Sequence, residues 1–332
     1  MNRRPSNLMS LEKAIEGFIH FKTAEGLSDN TLVSYRHNLG LFCNRQNRSL
    51  ELVQVTAAAI TEHLAWLRSE YKPKRIDQNR AAISNKTLRN HWVSLKSFFR
   101  WVAMEFDIQN LMDKIPAPNF ERRPIHPLMK EEIEELLKLC QYSAKAKTKY
   151  RRSFAMRRPT ANRDVALIMT LLDTWVRAGE LCALDIGDLD LRSGQLIIKH
   201  GPTGGAKGGQ GRVVFLGRQT RRAVWRYLAS REDEEQLDAP LFVNIQWRRL
   251  TPNSLRLLIK RLAKRAGIEK CHPHLFRHTF AITYLRSGGD VFTLQSLLGH
   301  ASLEMVRHYA RISSLDIASA HRMASPVDNW RL

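Results

Sequence analysis

"HPHLFRHTF", residues 272–280, is followed downstream by "LGHASLEMVRHYARI", residues 298–312. Three histidines (His272, His274, His278) and Arg277 crowd into seven positions. On a helix, spacings of three and four place His274, Arg277 and His278 on one face. Such a face could hold a cation or an anion. Zinc would need three or four ligands, and Cys271, His272, His274 and His278 could supply them. Pro273 separates His272 from His274 and puts it ahead of the helix. No H-E-x-x-H pattern is present, and an arginine in the midst repels a cation. A phosphodiester suits the group better. Arginine presents a planar fork of donors to phosphate oxygens, and its charge does not titrate away. Preorganised cations beside the charge that gathers on a transferring phosphoryl group lower its barrier, by roughly 3 kcal/mol for one donor in typical systems.

The rest of the chain agrees with an anionic partner. Its 332 residues suffice for two domains with cores of their own, and 43% hydrophobic content makes it globular. Lys and Arg number 53 against 32 Asp and Glu, a formal charge of +21. That excess favours a polyanion, nucleic acid ahead of a membrane surface. Cys43, Cys140, Cys182 and Cys271 are scattered with no C-x-x-C pair, which disfavours a disulfide framework and fits a reducing compartment. No apolar run has membrane-spanning length, and the start "MNRRPSNLMS" lacks the apolar core of a signal peptide. The expected location is cytoplasmic, with no membrane partner.

The first third reads as helices. "DNTLVSYRHNLGLF" places Leu32, Tyr35, Leu39 and Phe42 at helical spacing after the capping candidates Asp29 and Asn30. "NKTLRNHWVSLKSFFRWV" gives an apolar seam of Leu88, Trp92, Leu95 and Phe99, with Lys86, Arg89, Lys96 and Arg100 behind it. On one helix alone such cations read as a solvated face; several such helices in a chain of this charge read as a DNA-facing surface. "KIPAPNFERRPIHP" then sets four prolines within residues 116–127, where helix continuation is blocked. The expected domains are 1–120 and 121–332. "LMKEEIEELLKLC" starts a new amphipathic helix. The basic run "AKAKTKYRRSFAMRRPTANR" (144–163) is either a mobile surface loop or a phosphate-contacting one. "DVALIMTLLDTWVRAGELCAL" is an apolar helix running into Arg177. "GQLIIKH" and "GRVVFLG" read as a hairpin around the Gly-rich "GPTGGAKGGQ", which lacks the pattern of a nucleotide-binding loop. The remainder is helical.

These residues resemble the tyrosine recombinases, the phage-integrase and Xer-like site-specific recombinases. That family reads H-x-x-R-H, then a Gly-His step, then a tyrosine about nine residues on; here these are His274, Arg277, Gly299-His300 and Tyr309. Its upstream arginine followed by Glu-Leu matches "WVRAGEL", giving Arg177 and Glu180, and its hairpin lysine matches Lys207 in "AKGGQGR", five residues before Arg212. The motifs span about 165–312. The resemblance implies a mainly α protein: a helical SAM-like core-binding domain, then a mixed α+β catalytic domain with a small β-sheet. It implies an enzyme that cuts and rejoins double-stranded DNA through a covalent 3′-phosphotyrosyl intermediate formed by Tyr309. Such an intermediate stores the phosphodiester's energy, so neither ATP nor another cofactor is called for, and no metal is required because arginines take the place of the Lewis acid. It further implies that Arg177 and Arg277 clamp the non-bridging oxygens, with a hydrogen bond from His300. Lys207 would protonate the leaving 5′-oxygen, His274 would assist proton transfer from the tyrosine, and Glu180 would support.

The hairpin loop is longer than the usual family form, so Lys199 is a rival of Lys207 as the acid. His278 and His308 are read as structural, and His272 is left unassigned. The implied assembly is a homo-tetramer in the synaptic complex and a monomer or dimer off DNA. The tail from Ser313 to Leu332, with a short helical pattern (Leu315, Ile317, Ala320) and Trp330 near its end, is a candidate to dock on a neighbour, the alternative being packing on its own domain. Two other readings stay open: a topoisomerase-like relaxase acting on one duplex, and a DNA-binding protein without catalysis.

Overall fold

The computed structural model describes residues 9–73, 81–120, 126–145, 152–199, 211–298, 325 and 327. By its internal contacts the chain divides into two compact units, residues 1–123 and 124–332.

The first unit is helical: α1 (Leu11–Ala24), α2 (Asp29–Gln46), α3 (Ala57–Ser69) and α4 (Asn85–Phe106). Its helix starts follow from capping chemistry. The hydroxyls of Ser10, Thr56 and Ser84 accept the N–H groups of Lys13, Ala59 and Thr87, satisfying donors that have no partner inside the helix. The apolar faces meet in an aromatic core. Phe18 lies edge-on to Phe98 at 5.6 Å and to Tyr35 at 5.2 Å, and Phe42 is edge-on to Phe99 at 6.1 Å. The expected start of α2 shifts by one residue, since Ser28 occupies the cap position and Asp29 is the first helical residue. The basic back of α4 is also partly spent within the unit. Arg89 donates to the Pro118 carbonyl at 3.1 Å and stacks over Phe120, while the Lys96 ammonium sits 4.9 Å over Trp92. Lys86 and Arg100 remain exposed.

The second unit is built on α6 (Ala161–Thr174), packed against α5 (Lys130–Gln141), α8 (Arg218–Leu228) and α10 (Pro273–Arg286). α7 (Ala178–Ala183), α9 (Pro252–Ala266) and α11 (Val291–Leu298) complete its described helices. A three-stranded antiparallel sheet runs β1 (Leu189–Asp190), β2 (Gln195–Ile198), β3 (Arg212–Phe215). The expected hairpin is β2–β3, with Leu196 opposite Val214 facing the core and Ile197 opposite Val213 facing out. β1 was not foreseen, being two residues long. The loop between β2 and β3 lies outside the described residues.

One expectation is corrected here and one open reading is narrowed. The apolar helix does not run into Arg177: α6 stops at Trp175, whose backbone is left-handed (φ 48, ψ 16), and a new helix begins after Arg177. The described part of the basic run is tied down. Arg157 bridges to Tyr142, and both Arg158 and Arg163 ion-pair at 2.7 Å with the fully buried Asp164. Arg163 also donates to the Val243 carbonyl. Among the described residues, no helix is long and apolar enough to cross a membrane.

Candidate active site

Arg177 lies in the short connection between α6 and α7. Its extended backbone makes it the cap residue of α7, and its own N–H donates to Glu180 Oε2 at 2.8 Å. This is the carboxylate-to-cap half of a capping box, and it explains why Glu follows three residues after Arg. The Arg177 guanidinium donates to Glu180 Oε1 at 2.8 Å. From the first residue of β3, Arg212 adds a two-pronged contact, Nη1 to Oε1 at 3.1 Å and Nη2 to Oε2 at 2.7 Å. Glu180 is 1% exposed. Burial alone would raise its carboxyl pKa, but the hydrogen bonds and charges of Arg212 and Arg177 outweigh it and hold the group at about 2. Arg177 thus carries a fixed orientation, while its side chain stays about one-third open to solvent.

Arg277 comes from the second turn of α10 and is 1% exposed. Its Nη1 donates to the Trp175 carbonyl at 2.8 Å. One turn, residues 175–177, therefore carries Arg177 and anchors Arg277. His274, one turn earlier on α10, is exposed, and its ring lies 4.8 Å from that of buried His278. His272 now has a role: it caps α10, its Nδ1 accepting the Leu275 N–H at 3.2 Å. Burial and the nearby Arg256 push its pKa down, which keeps that nitrogen able to accept. Helix α10 is further tied to the start of its unit by Thr279, whose hydroxyl accepts the Leu128 N–H.

Lys199, just past β2, bonds Asp185 Oδ2 at 3.1 Å and Asp188 Oδ1 at 2.8 Å. These carboxylates raise its pKa and hold it as a fixed cation. Lys207, His300 and Tyr309 lie outside the described residues. The four cysteine thiols are buried, and burial pushes those of Cys140, Cys182 and Cys271 up to about 12.

Two contributors are missed by the sequence reading: Arg212 stands out there only for its spacing from Lys207, and Trp175 only as a letter in an apolar run. For Arg212 the alternation of "GRVVF" carried a signal: it shares the inward side with Val214, where a cation needs a buried acid.

The Phage integrase family model matches residues 127–315. The chain is 27% identical over 317 residues to the tyrosine recombinase XerC of Thermodesulfovibrio yellowstonii, covering 93% of this chain and 94% of that one. It is 29% identical over 326 residues to the tyrosine recombinase XerD of Oceanobacillus iheyensis, covering 95% and 99%. Its fold is similar to that of the XerH site-specific recombinase bound to palindromic difH substrate (TM-score 0.67, 21% identity, covering 97% of this chain and 99% of that one). A similar likeness holds to the Tn1549 transposon integrase in complex with transposon right end DNA (TM-score 0.66, 19% identity, 96% and 99%). With the family model covering more than half of its length, the chain belongs to the phage integrase family of tyrosine recombinases.

Proposed function

We propose that the protein recombines specific sites in double-stranded DNA by a metal- and ATP-independent phosphoryl exchange. The Tyr309 phenolate oxygen attacks the scissile phosphorus, a 3′-phosphotyrosyl bond forms, and the bond to the 5′-oxygen breaks. His274 assists removal of the phenolic proton. Lys207 gives a proton to the departing 5′-oxygen. The 5′-hydroxyl of a partner strand then reverses the step, so no net bond energy is consumed. Arg177 and Arg277, with a hydrogen bond from His300, stabilise charge on the non-bridging oxygens. Glu180 and Arg212 keep Arg177 in place.

The observation that carries this reading is the meeting of Arg177 and Arg277 at residues 175–177, with Glu180 fixing the first and the Trp175 carbonyl fixing the second. A turn that carries one arginine and anchors the guanidinium of the other suits a single phosphate. Lys199, committed to Asp185 and Asp188, leaves Lys207 as the better candidate for the acid. The 124–332 unit carries the chemistry, and the helical first unit contributes DNA binding through the exposed cations of α4. Strand exchange between two duplexes calls for four protomers in the synapse. The site of action is the cytoplasm.

Trapping tests the proposal. A duplex containing the site mapped by footprinting, nicked so that the short fragment bearing the released 5′-hydroxyl diffuses away, accumulates a covalent protein–DNA adduct. Tyr309→Phe abolishes the adduct and EDTA leaves it unchanged. An adduct that persists in Tyr309→Phe, or strand cleavage that EDTA stops, overturns the proposal.

A further inference from the structure

Trp175 holds a left-handed backbone, a conformation that costs a residue with a Cβ and that glycine adopts freely. A tryptophan kept there must be held by its surroundings, and strain of this kind clusters at functional sites. Three contacts hold it. Its carbonyl, aimed by that turn, accepts from Arg277 at 2.8 Å. Its indole Nε1 donates to the Leu297 carbonyl at 2.6 Å, in the last turn of α11, where carbonyls lack partners within the helix. Its ring packs on Phe280 with centroids 4.4 Å apart, one turn along α10 from Arg277. The side chain is 5% exposed.

One residue thus touches α10 and α11 and stands two positions before Arg177. Gly299 and His300 follow Leu297 by two and three residues, and Tyr309 by twelve. We infer that Trp175 is a positioning residue: through its indole N–H it pins the end of α11, and so sets the distance from the arginine pair to the segment bearing His300 and Tyr309. This inference rests on the catalytic reading proposed above. An unpinned α11 leaves both arginines anchored, so DNA binding stays while nucleophile alignment suffers. Misplacement by about 1 Å away from the chemistry can cost on the order of a hundredfold in rate.

The test uses the full chain and variants Trp175→Phe and Trp175→Gly. Phe keeps a ring against Phe280 and removes only the N–H; Gly removes the side chain and relieves the backbone. Single-turnover adduct formation is followed with enzyme saturating over the nicked duplex. Wild type must form the adduct and Tyr309→Phe must not; failure here sinks the catalytic reading itself, whatever Trp175 does. Given that control, Trp175→Phe is expected to bind the site within about threefold of wild type. Its cleavage rate constant is expected to fall at least tenfold, about 1.4 kcal/mol. The loss persists on a 5′-bridging sulfur substrate, which bypasses only leaving-group protonation. Hydrogen exchange across residues 291–298 quickens. Trp175→Gly shows the same rate loss despite its relaxed backbone. A wild-type rate constant, a reduced amplitude with an unchanged rate constant, rescue by sulfur, or unchanged exchange in 291–298 each overturns the role assigned to Trp175.

Discussion

Replacing Glu180 by Gln removes one charge and leaves the shape. Four donor contacts, two from Arg177 and two from Arg212, converge on the carboxylate at 2.7–3.1 Å. Breaking a buried pair by neutralising one member leaves the other charges uncompensated, at a cost of about 3–5 kcal/mol. The proton linkage gives an independent figure. A carboxyl held at about 2 when folded, against 4.5 when free, contributes about 3 kcal/mol above pH 4.5. The folded pKa is depressed, so this stability is lost as pH falls through 4.5 towards 2, and about 2 kcal/mol of it has gone by pH 3. Gln does not titrate. Other carboxyls change alike in both proteins and cancel in the difference. Thermal unfolding of wild type and Glu180→Gln from pH 7 to pH 3 is the assay. At pH 7 the transition of the 124–332 unit should drop by roughly 10 °C, taking about 2–4 °C per kcal/mol for a unit of this size. The gap should narrow by more than half at pH 3. Cleavage should fall because Arg177 loses its fixed orientation, with DNA affinity within about threefold. A gap that stays constant from pH 7 to pH 3 would refute the claim that this carboxylate is held ionised by the two arginines.

Three further outcomes are expected. Lys207→Ala should bind DNA normally and cleave slowly, with a 5′-bridging sulfur restoring its cleavage, whereas Lys199→Ala should cleave near the wild-type rate; the reverse pattern in cleavage assays moves the acid to Lys199. His63 is fully buried, its ring nitrogens have no hydrogen-bond partner, and burial with His91 and Arg45 nearby lowers its pKa to about 3. Its stability contribution is therefore complete above 6.5 and declines as pH falls below it, so His63→Leu should stabilise the protein, with an advantage that grows by about 2 kcal/mol between pH 7 and pH 5 in denaturant titrations; an advantage that shrinks over that interval would contradict the buried neutral ring. Deleting residues 314–332 should spare binding to one site and impair recombination between two in a plasmid assay, and undiminished recombination removes the docking role of the tail.

Local chemistry was legible in the sequence. Helical spacing in "NKTLRNHWVSLKSFFRWV" and in "HLFRHTFAITYLR" gave α4 and α10, because apolar residues three and four apart have one face to bury. The turn at Trp175 was not legible, since a bulky residue with positive φ runs against local preference and is set by contacts 102 and 122 positions away. The same holds for Arg212, whose buried acid lies 32 residues earlier, and for the cations of α4, where Arg89 looks like any exposed arginine until Pro118 and Phe120 fold back onto it. In the basic run, Arg158 and Arg163 read equally as part of a mobile loop or as phosphate ligands, and Asp164 beside them is the acid that takes both. Charge counts report the field of the molecule; which cations remain for DNA is decided by tertiary pairing.

The most direct measurement identifies the atom that carries the DNA. The trapped adduct is digested with nuclease and protease, and the modified peptide is sequenced by mass spectrometry. A 3′-phosphonucleotide on Tyr309 is the expected result; a nucleotide on another residue, or one attached through its 5′-phosphate, would contradict the proposed chemistry.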